Sequence, residues 1–179
     1  QLNPDSIYYY KTLGLNECND GDYADGLEYL EKAYTMDTQD QNTIWALGYY
    51  YTFVGKYDES LKFIKLWLEG IGNEIGRSRA NMHRLGYVYW QTGDEENANY
   101  YFDKQLDYGL NLIELGRAGS YVYYDLAAVY AFRGEKEKAY DNLRIFNEKK
   151  VMPKWMVTLI QDDPLFDNLR GEPEFDQIV

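Results

Sequence analysis

The sequence predicts an all-α protein, an α-solenoid of about four helix-turn-helix hairpins closed by short C-terminal capping helices. Three observations carry this prediction. The first is a recurring frame of small, apolar and turn residues. With Gly14, Gly48, Gly86 and Ala127 as origins, a leucine stands one residue before each (Leu13, Leu47, Leu85, Leu126). A glycine stands seven after (Gly21, Gly55, Gly93, Gly134), and a second small residue twelve after (Gly26, Ser60, Ala98, Ala139). The origins lie 34, 38 and 41 residues apart. The second is helical periodicity: Leu, Tyr and Phe at i, i+3 and i+4 make one apolar stripe per helix, and the small residues let the two helices of a hairpin approach closely. The third is a tail of different character, with apolar residues suited to covering the last hairpin, since an array leaves its terminal face open.

Each element follows from that frame. The first hairpin is expected from about Asp5 to Asn19 and from Asp22 to Tyr34, with Asn19-Asp20-Gly21-Asp22 supplying turn and N-cap chemistry. The second is the stretch from Thr43 to Glu69, in which Gly55 separates two helical runs and Gly70-Ile71-Gly72 ends the second. Residues Asn73 to Ser78 take up the first excess over 34. The third pairs Arg79–Gln91 with a long helix from Asp94 through Tyr108 toward Leu115, broken by Gly116, Gly119 and Ser120. Tyr121–Arg133 and Glu135–Lys149 make the fourth. A short helix from Val151-Met152-Pro153 to about Ile160 opens the tail, followed by one or two turns around Pro164-Leu165-Phe166 and Pro173-Glu174-Phe175. Trp155, Leu159, Leu165, Phe166 and Leu169 are read as cap residues.

The combination resembles the tetratricopeptide repeat, a helix-turn-helix unit of about 34 residues with the signature W-x2-L-G-x2-Y, then A-x3-F, then Pro. Its tyrosine slot holds Glu17, Tyr51, Tyr89 and Tyr130, its phenylalanine slot Leu30, Ile64, Phe102 and Leu143, and its tryptophan slot Tyr10, Ile44, Met82 and Tyr123. The resemblance implies a right-handed superhelix forming one domain over 1–179, with repeats at about 5–38, 41–72, 79–117 and 120–150 and a cap at 151–179. Leu2-Asn3-Pro4-Asp5 looks like the end of a preceding repeat, so the chain is expected to be a piece of a longer protein. The D-P-x-F-x-x-L-R phrase of the tail looks like the closing segment of bacterial arrays.

Composition narrows the function. A formal charge of −12 and a pI near 4.5 argue against a phosphate-binding surface. No run approaches the ~18 apolar residues of a membrane span, so no membrane insertion is expected. One cysteine excludes an internal disulfide, and a single histidine excludes a His-rich metal site. No cofactor, metal site or catalytic constellation is expected. Cys18 and His83 sit on corresponding helices without further support as a nucleophile pair, and Asp162-Asp163 and Glu95-Glu96 suit helix starts. The compartment, cytoplasmic or periplasmic, stays open.

In the family the first helices of successive hairpins line a concave face. The slots implied to point into it hold Tyr8, Lys11, Leu15, Cys18 and Asn19, then Asn42, Trp45, Tyr49, Thr52 and Phe53. The third copy supplies Ala80, His83, Tyr87, Trp90 and Gln91, and the fourth Tyr121, Tyr124, Ala128, Ala131 and Phe132. Nine of these twenty are aromatic against 17% in the whole chain, and Lys11 alone is charged, so the resemblance implies an aromatic, charge-poor groove. Such surfaces suit hot spots, because Trp and Tyr bury much area at low rotamer cost. The expected contact residues are Trp45, Tyr49, Phe53, Tyr87, Trp90, Tyr121 and Tyr124, with Lys11 and Arg84 able to hold a carboxylate. Leu15, Ala46 and Ala80 leave the family's five-residue carboxylate clamp incomplete, which favours a more apolar segment over an acidic chaperone tail. The expected function is a non-catalytic scaffold for a protein or peptide partner, or for another domain of the parent chain. The alternative is a small-ligand or glycan-sensing module, since the same rings stack on sugars.

Overall fold

A computed structural model of the chain describes residues 6–71, 82–149 and 154–179. Among them every regular element is helical, as the periodicity predicts. Pro4, the 73–78 connection, Arg79, Ala80 and the expected helix start at 151–153 lie outside the described residues. The chain divides into two compact units, Gln1–Ala80 and Asn81–Val179.

The first unit contains α1 (Ile7–Asp20), α2 (Tyr23–Met36), α3 (Gln41–Tyr50) and α4 (Tyr57–Gly70), paired as two hairpins. The second contains α5 (Met82–Gln91), α6 (Glu95–Glu114), α7 (Ser120–Phe132) and α8 (Lys136–Glu148). There α9 (Lys154–Asp162), a 3-10 turn at Pro164–Phe166 and α10 (Pro173–Ile178) follow.

One backbone device ends the leading helix of every hairpin. Gly21, Gly55, Gly93 and Gly134 have φ of 95°, 71°, 82° and 75°, a left-handed conformation in which a Cβ is strained. The next residue donates its N–H to the carbonyl five positions back. These bonds are Asp22 to Glu17, Lys56 to Tyr51, Asp94 to Tyr89 and Glu135 to Tyr130, at 2.8–3.0 Å. The acceptors are the repeat's tyrosine-slot residues, acting through their carbonyls. Glu17 can therefore stand in that slot without disturbing the turn.

The small residues act at the helix crossings. A Cβ on Gly14 would lie 2.8 Å from the Gly26 carbonyl oxygen, and one on Gly86 would lie 2.9 Å from Phe102 Cδ1. In the second hairpin Ser60 occupies the facing position, and its hydroxyl donates to the Gly48 carbonyl at 2.6 Å. Ser6, Asp40 and Asp94 accept N–H groups from Tyr9, Thr43 and Asn97 and so start α1, α3 and α6.

The tail covers the second unit. Leu165, Phe166, Leu169 and Phe175 are buried, while Trp155 is half-buried. Asn168 Nδ2 donates to the carbonyls of Ala131 and Phe132 at the end of α7. Glu172 accepts from Lys136 and from the Tyr140 hydroxyl on α8.

Candidate functional site

In the first unit the rings of α3 and its C-terminal turn meet Tyr23 at the start of α2. Trp45, Tyr49 and Phe53, spaced four residues apart, form one stripe. The Trp45 and Tyr49 rings stack at 5.2 Å, Tyr49 meets Phe53 at 5.4 Å, and Phe53 stacks on Tyr23 at 5.1 Å. Tyr50 adds a hydroxyl bond to Asn19 Oδ1 at 3.0 Å. These neighbours bury Tyr49 to 6% exposure, where an open ring is expected, and leave Trp45 and Phe53 half-buried.

Lys11, expected to face a partner's carboxylate, has one of its own. Its Nζ lies 3.1 Å from Asp40 Oδ2, with both side chains 18% exposed. The same carboxylate accepts the Thr43 N–H and hydroxyl at 3.0 and 2.5 Å. Burial opposes the charge on Asp40, but the bonds from Thr43 and Lys11 hold its carboxyl below the ordinary value. Lys11 thus completes the N-cap of α3.

The second unit departs further from expectation. Arg84 is fully buried, and its Nη1 and Nη2 each lie 2.6 Å from an oxygen of Asp163, also fully buried. Tyr124 donates its hydroxyl to the same carboxylate and accepts from Arg84 Nη2 at 3.1 Å. Asp163 also accepts the Leu165 N–H at 3.0 Å, so it starts the 3-10 turn as the sequence suggests while closing a buried pair the sequence does not announce. Burial works against the Asp163 charge, and the guanidinium, the phenol and the Leu165 N–H overcome it, holding the carboxyl below its usual value. The carboxylate expected of a partner at Arg84 is therefore supplied by the chain's own tail.

Tyr124 is consequently 4% exposed, enclosed by His83, Phe146 and Phe166 at 5.9, 6.2 and 5.8 Å. Tyr87 is 4% exposed beside Phe132 at 5.7 Å. Trp90 remains open at 39%, edge-on to Phe132 at 5.5 Å, and Tyr121 at 42%. Of the expected contact rings, Trp90 and Tyr121 are exposed, Trp45 and Phe53 half-exposed, and Tyr49, Tyr87 and Tyr124 are interior.

Two further residues join the buried polar cluster without having been singled out. Gln105 accepts from the His83 N–H at 3.3 Å and lies 3.3 Å from His83 Nδ1, while its Nε2 donates to Asp125 at 3.4 Å. Their signal in the sequence is indirect: a histidine and an arginine in the apolar run of α5 require polar partners on the helices that cover it. Cys18 is buried, and burial, with a smaller push from Glu17, raises its thiol to about 12, so it is held as a thiol and not a nucleophilic thiolate. No described helix is long and apolar enough to cross a membrane.

Helical hairpins with a small-residue crossing, a glycine-terminated leading helix and a capped end define a helical-repeat protein. Residues 81–108 match the family model described as the tetratricopeptide repeat. The fold is similar to that of TTC0263, a thermophilic tetratricopeptide-repeat protein of Thermus thermophilus, with TM-score 0.61 and 18% identity over 97% of this chain and 86% of that one. It is also similar to MamA, with TM-score 0.52 and 18% identity over 83% and 80%. In sequence it is similar to Protein IFIT1 homolog B of Homo sapiens, 26% identical over 158 residues, covering 80% of this chain and 32% of that one. The chain thus spans about a third of that relative's length. Residues 81–108 are thus similar in sequence to a tetratricopeptide repeat, within a fold shared with tetratricopeptide-repeat proteins, and such arrays are in general protein-interaction scaffolds.

Proposed function

We propose that this chain is a non-catalytic scaffold that takes a partner peptide through aromatic side chains of its leading helices, Trp45 and Phe53 in the first unit and Trp90 and Tyr121 in the second. The observation that carries this is Trp90, a large ring left 39% exposed and braced edge-on by Phe132. A braced, open ring buries much area on contact at little entropic cost. Lys11 and Arg84 leave the proposed set, because each is engaged by the chain's own carboxylates. That removes the two cations an acidic segment needs and favours an apolar or aromatic one.

Panning a phage-displayed peptide library on the chain, then measuring the winners by calorimetry on Trp45→Ala and Trp90→Ala, tests the proposal. Losses of roughly tenfold or more for either variant are expected of a hot-spot ring. Equal affinities for both variants and the parent overturn it. The glycan reading uses the same rings; binding of oligosaccharides, lost in Trp90→Ala and with no peptide selected, selects it instead.

A further inference from the structure

We propose that α8 carries a second recognition surface, for a partner's acidic segment of the pattern acidic-x-acidic-aromatic, and that α10 is its exchangeable in-chain occupant.

The surface is a row of hydrogen-bond donors. Lys136, Tyr140, Arg144 and Asn147 follow one another at intervals of four, four and three residues, along one face of α8. The tail engages all of them. Lys136 Nζ and the Tyr140 hydroxyl donate to the two oxygens of Glu172, Arg144 Nη2 donates to Glu174, and Asn147 Nδ2 donates to the Ile178 carbonyl at 3.1 Å. Donors and acceptors meet in the same chain order, so the segment lies parallel to α8 as a bound peptide would. Between the polar contacts Phe175 turns inward, buried 6.0 Å from the Phe166 ring. Arg144 Nη1 also donates to Asp141 at 2.9 Å, which keeps the guanidinium in place with or without Glu174.

The occupant is exchangeable because little of it is sealed. Of the six residues of α10 only Phe175 is buried, whereas Leu165, Phe166 and Leu169 of the preceding tail are all interior. A helix this short does not hold itself together alone. The side chains of both ion pairs, Lys136 with Glu172 and Arg144 with Glu174, are 35–48% exposed, so each pair adds little stability and is screened by salt. A cleft of about 690 Å³ lies between Arg144, Asn147 and Glu148 of α8 and Pro173, Gln177 and Ile178 of α10, so polar side chains bridge that half across open space. Gly171, with φ of 78° and nothing within 4 Å of where its Cβ would stand, is the corner at which α10 leaves the sealed tail. Departure of α10 uncovers the Phe175 seat beside Phe166, the Tyr140 hydroxyl and two cations. An aromatic side chain flanked by carboxylates complements that surface, and a basic segment is repelled by it. Tethered, α10 acts at an effective concentration of roughly millimolar, so a free peptide with the same contacts binds tightly only when α10 is disabled. The surface shares no residue with the leading-helix rings proposed above, so either reading can fail alone.

The probe is a fluorescein-labelled peptide with the sequence of residues 171–179, titrated into the full chain and read by anisotropy. Phe175→Ala in the chain removes the anchor of α10 and leaves every donor of α8 in place. The expected result is binding at least about tenfold tighter to Phe175→Ala than to the parent, a gain that is lost when Arg144→Ala is added and that shrinks as sodium chloride rises. A peptide with both glutamates changed to glutamine should lose most of its affinity. In the parent, the Asp176 and Val179 amides, which donate to the Glu172 and Phe175 carbonyls, should exchange with deuterium faster as salt rises, while the Leu165 amide held by Asp163 does not. Peptide at roughly millimolar concentration should speed the same exchange by competing for the seat. If it does not, the proposal falls even where the variant fails to fold. Equal binding of the glutamine peptide, or no gain in Phe175→Ala, also overturns it. Dimerisation of Phe175→Ala in place of peptide binding overturns it in favour of a second copy as the occupant.

Discussion

The two units use the same hairpin but join their hairpins differently. In the first, rings of α3 and its turn pack on Tyr23 of α2 and the Tyr50 hydroxyl bonds Asn19 of α1, while the ion pair nearby, Lys11 with Asp40, sits at the edge where solvent shares it. In the second, α5 and α7 meet around a charge pair from which water is excluded, and the carboxylate arrives from a segment 79 residues further on. A joint of rings degrades gradually when one member is lost. A sealed charge pair does not, because the survivor is stranded without water or counterion.

The largest expected effect tests that contrast directly. Arg84→Ala should cost about 3–5 kcal/mol, read from urea unfolding, because Asp163 is left buried and unpaired. Replacing both, Arg84→Met with Asp163→Leu, should recover much of the loss; if the double variant is as unstable as the single, the stranded-charge explanation is wrong. Next come the crossings, where the units should behave alike. Gly14→Ala and Gly86→Ala each place a methyl against a close neighbour and should cost about 1–3 kcal/mol despite alanine's better helix propensity. A large cost in one unit and none in the other would show that the hairpins are not equivalent.

Acid sharpens the comparison. Asp163 and Asp40 both have carboxyls held below the ordinary 3.8, so each contributes stability that is present above that pH and is lost as pH falls through the folded value. Amide exchange on stepping below pH 4 should show protection failing in the second unit before the first, since the sealed pair has more to lose. The smallest effect is Lys11→Ala, expected at about 0.2–1 kcal/mol and reduced further by salt. A cost matching that of Arg84→Ala would erase the distinction between the joints.

The helices were legible because their signals are local. A small residue, a glycine seven later and a second small residue twelve later each report a backbone event within one hairpin, and the left-handed φ of Gly21, Gly55, Gly93 and Gly134 is what that spacing encodes. The exposure of individual rings was not legible, because it depends on what folds onto them. Tyr124 occupies a slot that resemblance assigns to an open face, and Phe166 and Asp163 of the tail close over it. Lys11 and Arg84 looked available because their partners lie 29 and 79 residues away, beyond any periodicity. A lone arginine in the apolar run from Met82 to Trp90 was nevertheless a clue that a carboxylate had to come from somewhere.

The seven- and twelve-residue intervals inside the hairpins stay fixed while the distances between origins change from 34 to 38 to 41. Length is therefore negotiable only after the second helix of each pair, as the 20 residues of α6 beside the 14 of α2 and α4 illustrate. Anyone wishing to lengthen this scaffold, or to splice a foreign loop into it, has those trailing ends to work with and should leave the glycine corners untouched.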